Sequence, residues 1–168
     1  MSLHVHARHV LDELNRARLT LATAESCTGG LLSAALTANP GASDVYLGGI
    51  VAYSDRIKTE VLGVDGGLIR EFGAVDARVA RAMAEGAARI ARADIAVGIT
   101  GIAGPSGGTP EKPVGLVYVA VATKSGSAIE ELMLQGDRES IRTQAAERAF
   151  AMVLECVAHD VHLNKPGR

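Results

Sequence analysis

Three short apolar runs, at 19–24, 45–53 and 95–100, are separated by segments whose apolar residues return every three or four positions. This alternation constrains the fold more than any other feature, because the two patterns belong to strands and to amphipathic helices. Ala7, Val10, Leu11 and Leu14 predict a first helix, and Leu31, Leu32, Ala35 and Leu36 a second. Asn39-Pro40-Gly41 ends the second, since proline cannot continue the hydrogen-bond ladder. Gly48-Gly49 inside the second run predicts a bulge or a close approach of backbones. A short helix through Lys58 and Leu62 should follow, capped by Ser54 or Asp55. Asp76 caps a longer one with Val79, Ala80, Met83, Ala84 and Ala87 on one face. The run at 95–100 is apolar enough to be buried on both faces. Two further strands, 114–123 and 128–134, form a hairpin across 124–127. A last helix starts near Asp137 and turns Ile141, Ala145, Ala149, Met152 and Cys156 to one side. The expected fold is α/β: an α/β/α sandwich with a mixed central sheet, one domain over 1–168 with a polar tail at 164–168.

Composition removes several function classes. The net charge is −2, so no dominant basic surface for nucleic acid is implied. Five aromatic residues are too few for a base-stacking platform. No apolar run reaches membrane length, and the first eight residues lack the apolar stretch of a secretory signal. Cys27 and Cys156 form no metal-ligand spacing, and a reduced, cytoplasmic compartment is expected. The histidines, His4, His6, His9, His159 and His162, sit at the two ends and read as solvated helix faces.

Four clusters can carry chemistry. The first is Glu25-Ser26-Cys27-Thr28-Gly29-Gly30, a strand end feeding a helix start. Unpaired amides there favour an anion or a developing oxyanion. Ser26 stands where a nucleophile is needed, and Cys27 is a rival because a helix N-terminus lowers a thiol pKa. Capping of the helix by Ser26 and Thr28 is the plain alternative. The second cluster is Tyr53 with Lys58. If Asp55 caps the short helix, Lys58 lies in its first turn, where the dipole favours a neutral amine. A neutral lysine can serve as base to a serine. The third is Arg138 and Arg142, four apart on one face at a helix start, an arrangement suited to phosphate. The fourth is the glycine- and proline-rich loop at 101–113, which includes Gly101 and Gly104. It matches neither a Walker loop nor the dinucleotide fingerprint, yet a loop of this kind after a buried strand commonly holds a ligand.

Taken together, ESCTGG, VAYSDRIK, GITGIAGPSGG followed by KPVG, and GDRESIR stand in one order along about 19–157. In this the chain resembles the C-terminal domain of the CinA proteins and the stand-alone nicotinamide-nucleotide amidohydrolases (PncC). The resemblance implies an α/β protein that converts nicotinamide mononucleotide to nicotinate mononucleotide and ammonia. It implies Ser26 as nucleophile, Lys58 as its base and Tyr53 as an assisting hydroxyl. Thr28, Gly29, Gly30, Gly101, Gly104, Arg138 and Arg142 are the expected substrate contacts, with no metal and no cofactor. It also implies a small-molecule nucleotide partner, no nucleic acid or membrane partner, and a homodimer or higher symmetric oligomer. The pyrophosphatase activity of the larger CinA proteins belongs to an additional N-terminal domain and is not expected here. One position departs from the family pattern: Gly73-Ala74-Val75 is followed by Asp76 where serine is expected. A carboxylate there still caps a helix but would repel a phosphate if it faced one.

Overall fold

The computed structural model describes residues 2–163. The tail at 164–168 lies outside the described residues. Five strands form one mixed sheet: β1 (Leu21–Glu25), β2 (Tyr46–Val51), β3 (Ile95–Gly101), β4 (Leu116–Thr123) and β5 (Gly126–Met133). Their order is β2-β1-β3-β4-β5, with β2, β1 and β3 parallel and β4 and β5 antiparallel. The expected hairpin is β4–β5, turning at Lys124 and Ser125.

Helices cover both faces. On one side lie α1 (Leu3–Ala17), α2 (Leu31–Thr37) and α6 (Arg138–Leu163). Leu11, Leu14, Leu32, Leu36, Ile141 and Phe150 meet alternate strand residues there, including Leu21, Ile95, Val97, Ile99, Val117 and Val119. On the other side lie α3 (Asp55–Glu60), α4 (Gly66–Phe72) and α5 (Ala77–Ala91), packed over Ala22, Ala24, Ala96, Ala120 and Ala122. The two-residue period thus sorts Leu21, Ile95, Val97, Ile99, Val117 and Val119 to one face and the alanines of β1, β3 and β4 to the other. The expectation that 95–100 is buried on both faces holds, since all six residues are buried.

The alanines of α5 serve packing within the chain. Val79, Ala80, Met83, Ala84 and Ala87 are buried against the sheet. The approach is so close that a Cβ on Gly98 would lie 2.2 Å from the Ala80 carbonyl oxygen and 2.6 Å from the Ala84 nitrogen. Backbone atoms cannot swing away as a side chain could. Gly98→Ala is therefore expected to destabilise the fold by about 1–3 kcal/mol, read as a lower denaturant midpoint at unchanged slope.

The Gly48-Gly49 pair does both things expected of it. The β1–β2 register slips by one residue at Leu47, and a Cβ on Gly49 would come within 2.3–2.5 Å of Thr23 Oγ1, Ser33 Oγ and Tyr46 OH. Asp76 caps α5, accepting from the Arg78 amide at 2.9 Å. Of the two caps expected for α3 it is Ser54 that serves, its Oγ accepting from the Ile57 amide. One element differs from expectation: helix α4, capped by Asp65, is not predicted by the sequence.

Candidate active site

The chain leaves β1, crosses through α2 to β2 on one side, and returns through α3, α4 and α5 to β3 on the other. The strand order reverses at β1. In open α/β sheets the crevice beyond the strand ends at such a switch point is where ligands bind. A cavity of about 270 Å³ lies at that point. Ser26, Cys27, Tyr53, Lys58, Gly101, Gly104 and Arg138 line it, with Asp55, Ala74, Val75, Thr100, Ile102, Ala103, Ser106 and Gly107.

Ser26 is fixed by the sheet. Its amide donates to the Ile99 carbonyl at 3.0 Å, one residue beyond the β1–β3 ladder, and its carbonyl accepts the Gly29 amide at 3.0 Å. The chain then turns through Gly29 (φ +61°) and Gly30 (φ +96°), a left-handed pair that side chains would strain. Ser26 is 8% exposed, and its hydroxyl makes no hydrogen bond among the described residues.

The expectation that amides of Thr28 to Gly30 are free for an oxyanion needs correction. The Glu25 carboxylate accepts the amides of Gly30 (3.0 Å), Leu32 (3.1 Å) and Ser33 (2.9 Å), so the start of α2 is compensated from within. Neither Thr28, Gly29 nor Gly30 lines the cavity: Thr28 is buried, with its Oγ1 unpartnered, and its carbonyl accepts from Arg142 at 2.7 Å. The Thr28 amide donates to no protein acceptor among the described residues, and the Cys27 amide faces the sulfur of its own side chain. The reading of Cys27 as an activated thiol also reverses. Burial pushes its thiol up to about 11, with the Glu25 charge adding to the shift. Cys27 therefore stays protonated near neutral pH.

Lys58 is 2% exposed. Its ammonium donates to the Tyr53 carbonyl at 3.2 Å and lies 3.9 Å from Asp55 Oδ1. Burial lowers its pKa below the ordinary lysine value, and the Asp55 charge opposes that shift in part. Because Ser54 caps α3, Lys58 falls in the last turn of this six-residue helix, not the first. The cause of the shift is burial, not the helix dipole. Tyr53 orients Lys58 through its backbone. Its side chain is 61% exposed, and its hydroxyl accepts from Arg138 at 3.0 Å.

Arg138 opens α6, and Asp137 caps that helix by accepting the Ser140 amide. The Arg138 guanidinium also donates to the Gly104 carbonyl at 2.8 Å, tying the helix to the loop at 101–113. Pairing of Arg138 or Arg142 with Asp137 or Glu139 does not occur; neither guanidinium meets a carboxylate among the described residues. A second depression of about 270 Å³ lies between Leu31, Arg138, Glu139, Arg142 and Thr143, so Arg138 borders both. Gly101 and Gly104 belong to the first cavity only.

The departure at Asp76 is harmless by geometry. Its carboxylate accepts from the Arg78 guanidinium at 2.8 and 2.9 Å, which holds its pKa below the usual range, and it does not line the cavity. Two contributors went unread in the sequence. Lys112 donates to the Phe72 and Val75 carbonyls and so joins the 101–113 loop to the opposite wall of the cavity. Glu25 could have been suspected, since an acid just before a helix start is a capping signal. Among the described residues, no group of three His, Cys, Asp or Glu is placed to hold a metal ion, and no helix is long and apolar enough to cross a membrane.

Residues 4–157 match the model of the CinA C-terminal domain. A relative from Acetivibrio thermocellus described as a putative competence-damage inducible protein is 51% identical over 150 residues, which cover 89% of this chain and 35% of that protein. A CinA-like protein from Akkermansia muciniphila is 50% identical over 147 residues, covering 87% of this chain and 36% of that one. The chain thus spans about a third of the length of the curated relatives it matches. Among solved structures, the competence/damage inducible protein CihA from Agrobacterium tumefaciens superposes with a TM-score of 0.89 at 39% identity, over 93% of this chain and 95% of that one. A CinA superfamily protein from Klebsiella pneumoniae gives 0.91 at 35% identity, over 95% and 99%. The chain belongs to the CinA family and comprises its C-terminal domain.

Proposed function

We propose that this domain is an amidohydrolase that converts nicotinamide mononucleotide to nicotinate mononucleotide and ammonia. One observation carries the reading: a lysine ammonium withdrawn from solvent shares a cavity with a serine at a strand-to-helix turn. Burial of a charged amine is costly and favours its neutral form, and a lysine so perturbed in a cleft is a candidate general base. In the proposed reaction Lys58 turns from the Tyr53 carbonyl toward Ser26 and takes its hydroxyl proton. Ser26 Oγ attacks the carboxamide carbon, and the Cys27 amide, at the cavity wall, is the candidate donor for the oxyanion. The C–N bond then breaks, the Lys58 proton leaves with the amine as ammonia, and an acyl-Ser26 ester remains. Water attacks that ester, Lys58 again relaying the proton, and the acid departs. Purified protein incubated with nicotinamide mononucleotide should release ammonia and the acid in equal amounts. Absence of both overturns the proposal.

Arg138 and Arg142 are the proposed phosphate contacts, because neither is paired with a carboxylate and both line the depression beside the cavity. A charge-assisted arginine–phosphate contact contributes about 1.5–3 kcal/mol. Arg138→Ala is therefore expected to weaken mononucleotide binding about 10- to 150-fold, with a much smaller loss for the riboside. Equal losses for both would reassign Arg138 to the reacting amide or to the fold.

A second reading, a nucleotide-binding module without catalysis, draws on one observation: Lys58 is engaged with a carbonyl and the Ser26 hydroxyl is unbonded. It predicts equal mononucleotide affinity in wild type and Ser26→Ala, with no turnover in either.

A further inference from the structure

Resting on the amidase reading, we infer that Glu25 is a positioning residue for Ser26, fixing the turn at 26–30 from beneath without touching the cavity. Glu25 is fully buried at the end of β1 and does not line the cavity. Its backbone is already committed: its carbonyl accepts the Ala52 amide at 2.8 Å, which joins β1 to the chain beyond β2. Its side chain turns back under α2. Besides the three amides it takes, it accepts the Ser33 hydroxyl at 2.7 Å. Ser33 Oγ in turn lies 2.8 Å from Tyr46 OH and 3.0 Å from Thr23 Oγ1. This network crosses from α2 to β1 and β2, in the space that Gly49 leaves open.

The turn is therefore held at both ends. Ser26 is tied to β3 through its amide, and the residues after Gly29 are tied to Glu25. Between them stand two left-handed glycines, which would otherwise let the turn move. Without the carboxylate, three amides at a helix start lose their acceptor. The Ser26 hydroxyl has no hydrogen bond of its own, so its direction depends on how the backbone is held. The same carboxylate contributes to keeping the neighbouring Cys27 thiol protonated, which leaves serine as the nucleophile.

The test is the rate of Ser26 phosphonylation by a fluorophosphonate, which needs no amide substrate. In this reaction Ser26 Oγ displaces fluoride from phosphorus while Lys58 takes the hydroxyl proton. Glu25→Gln, which keeps the shape but loses acceptor capacity, should slow the labelling rate constant about 10²-fold. Ser33→Ala removes the three hydrogen bonds of the Ser33 hydroxyl, to Glu25, Tyr46 and Thr23, and keeps the amides capped, so it should fold and slow labelling by about tenfold. A smaller folded fraction lowers the amount labelled but not the rate constant. With nicotinamide mononucleotide, kcat should fall in step while KM moves by less than about threefold. Wild-type rate constants in both variants overturn the inference, as does a loss confined to KM. Labelled wild type that releases no ammonia refutes the amidase reading, and the rate comparison still decides the role of Glu25. An unlabelled wild-type Ser26 overturns both.

Discussion

Ser26→Ala is expected to lower kcat for nicotinamide mononucleotide by at least about 10³-fold, with mononucleotide affinity and stability near wild type. Removing a nucleophile that acts together with its base usually abolishes nearly all chemistry, because neither partner works alone. The binding groups would be untouched, since the substitution deletes one atom at the cavity wall. Stability should change by less than about 0.5 kcal/mol, because no hydrogen-bond partner of Ser26 Oγ is left behind. The neighbouring thiol cannot substitute, since burial holds Cys27 up at about 11. Ammonia release and calorimetric binding, measured on the same preparation, check the prediction. Activity within about tenfold of wild type would remove Ser26 from the mechanism.

Lys58 gives the second large effect. Lys58→Arg keeps the charge but cannot lose its proton in a protein, so kcat should fall by about 10²–10⁴-fold. In wild type, burial lowers the Lys58 pKa, so the neutral amine gains population as pH rises through that lowered value. kcat/KM should rise over the same range and then level off. The same shift has a stability signature. Between the lowered folded pKa and the ordinary lysine value, the unfolded chain binds more protons than the folded one. Wild-type stability should therefore rise with pH across that window, and the contribution is lost as pH falls. Lys58→Met lacks the slope. At neutral pH it should be inactive yet melt about 2–4 °C higher, because a buried ammonium has been replaced by a side chain that suits the site. Melting temperatures of both proteins across pH check this. Parallel curves would show that Lys58 titrates alike in the folded and unfolded chains.

Much of the fold was legible because its elements are locally specified. The cap at Asp76, the start of α6 near Asp137, the apolar run of β3 and the β4–β5 hairpin each follow from a few neighbouring residues. Helix α4 is not legible because seven residues opened by Gly66-Gly67 carry too few apolar positions to show a period. Gly48-Gly49 is legible as a bulge or close approach, but not what approaches it: Gly49 meets a buried polar network, and nothing local marks Gly98, which meets α5.

The sequence by itself determined the α/β alternation, the strand-to-helix turn at Ser26 and the residue types that could act there. It also brought Tyr53, Lys58, the 101–113 loop and Arg138 into view as separate clusters. Only the tertiary structure decided that they share one cavity, because the reversal of strand order at β1 sets the ends of β1, β2 and β3 side by side. It decided too that the start of α2 is compensated by Glu25, which closes those amides to substrate. Charge states follow the same division. A lysine or a cysteine in a sequence carries its ordinary pKa, and burial, which no short stretch of chain determines, is what lowers Lys58 and raises Cys27.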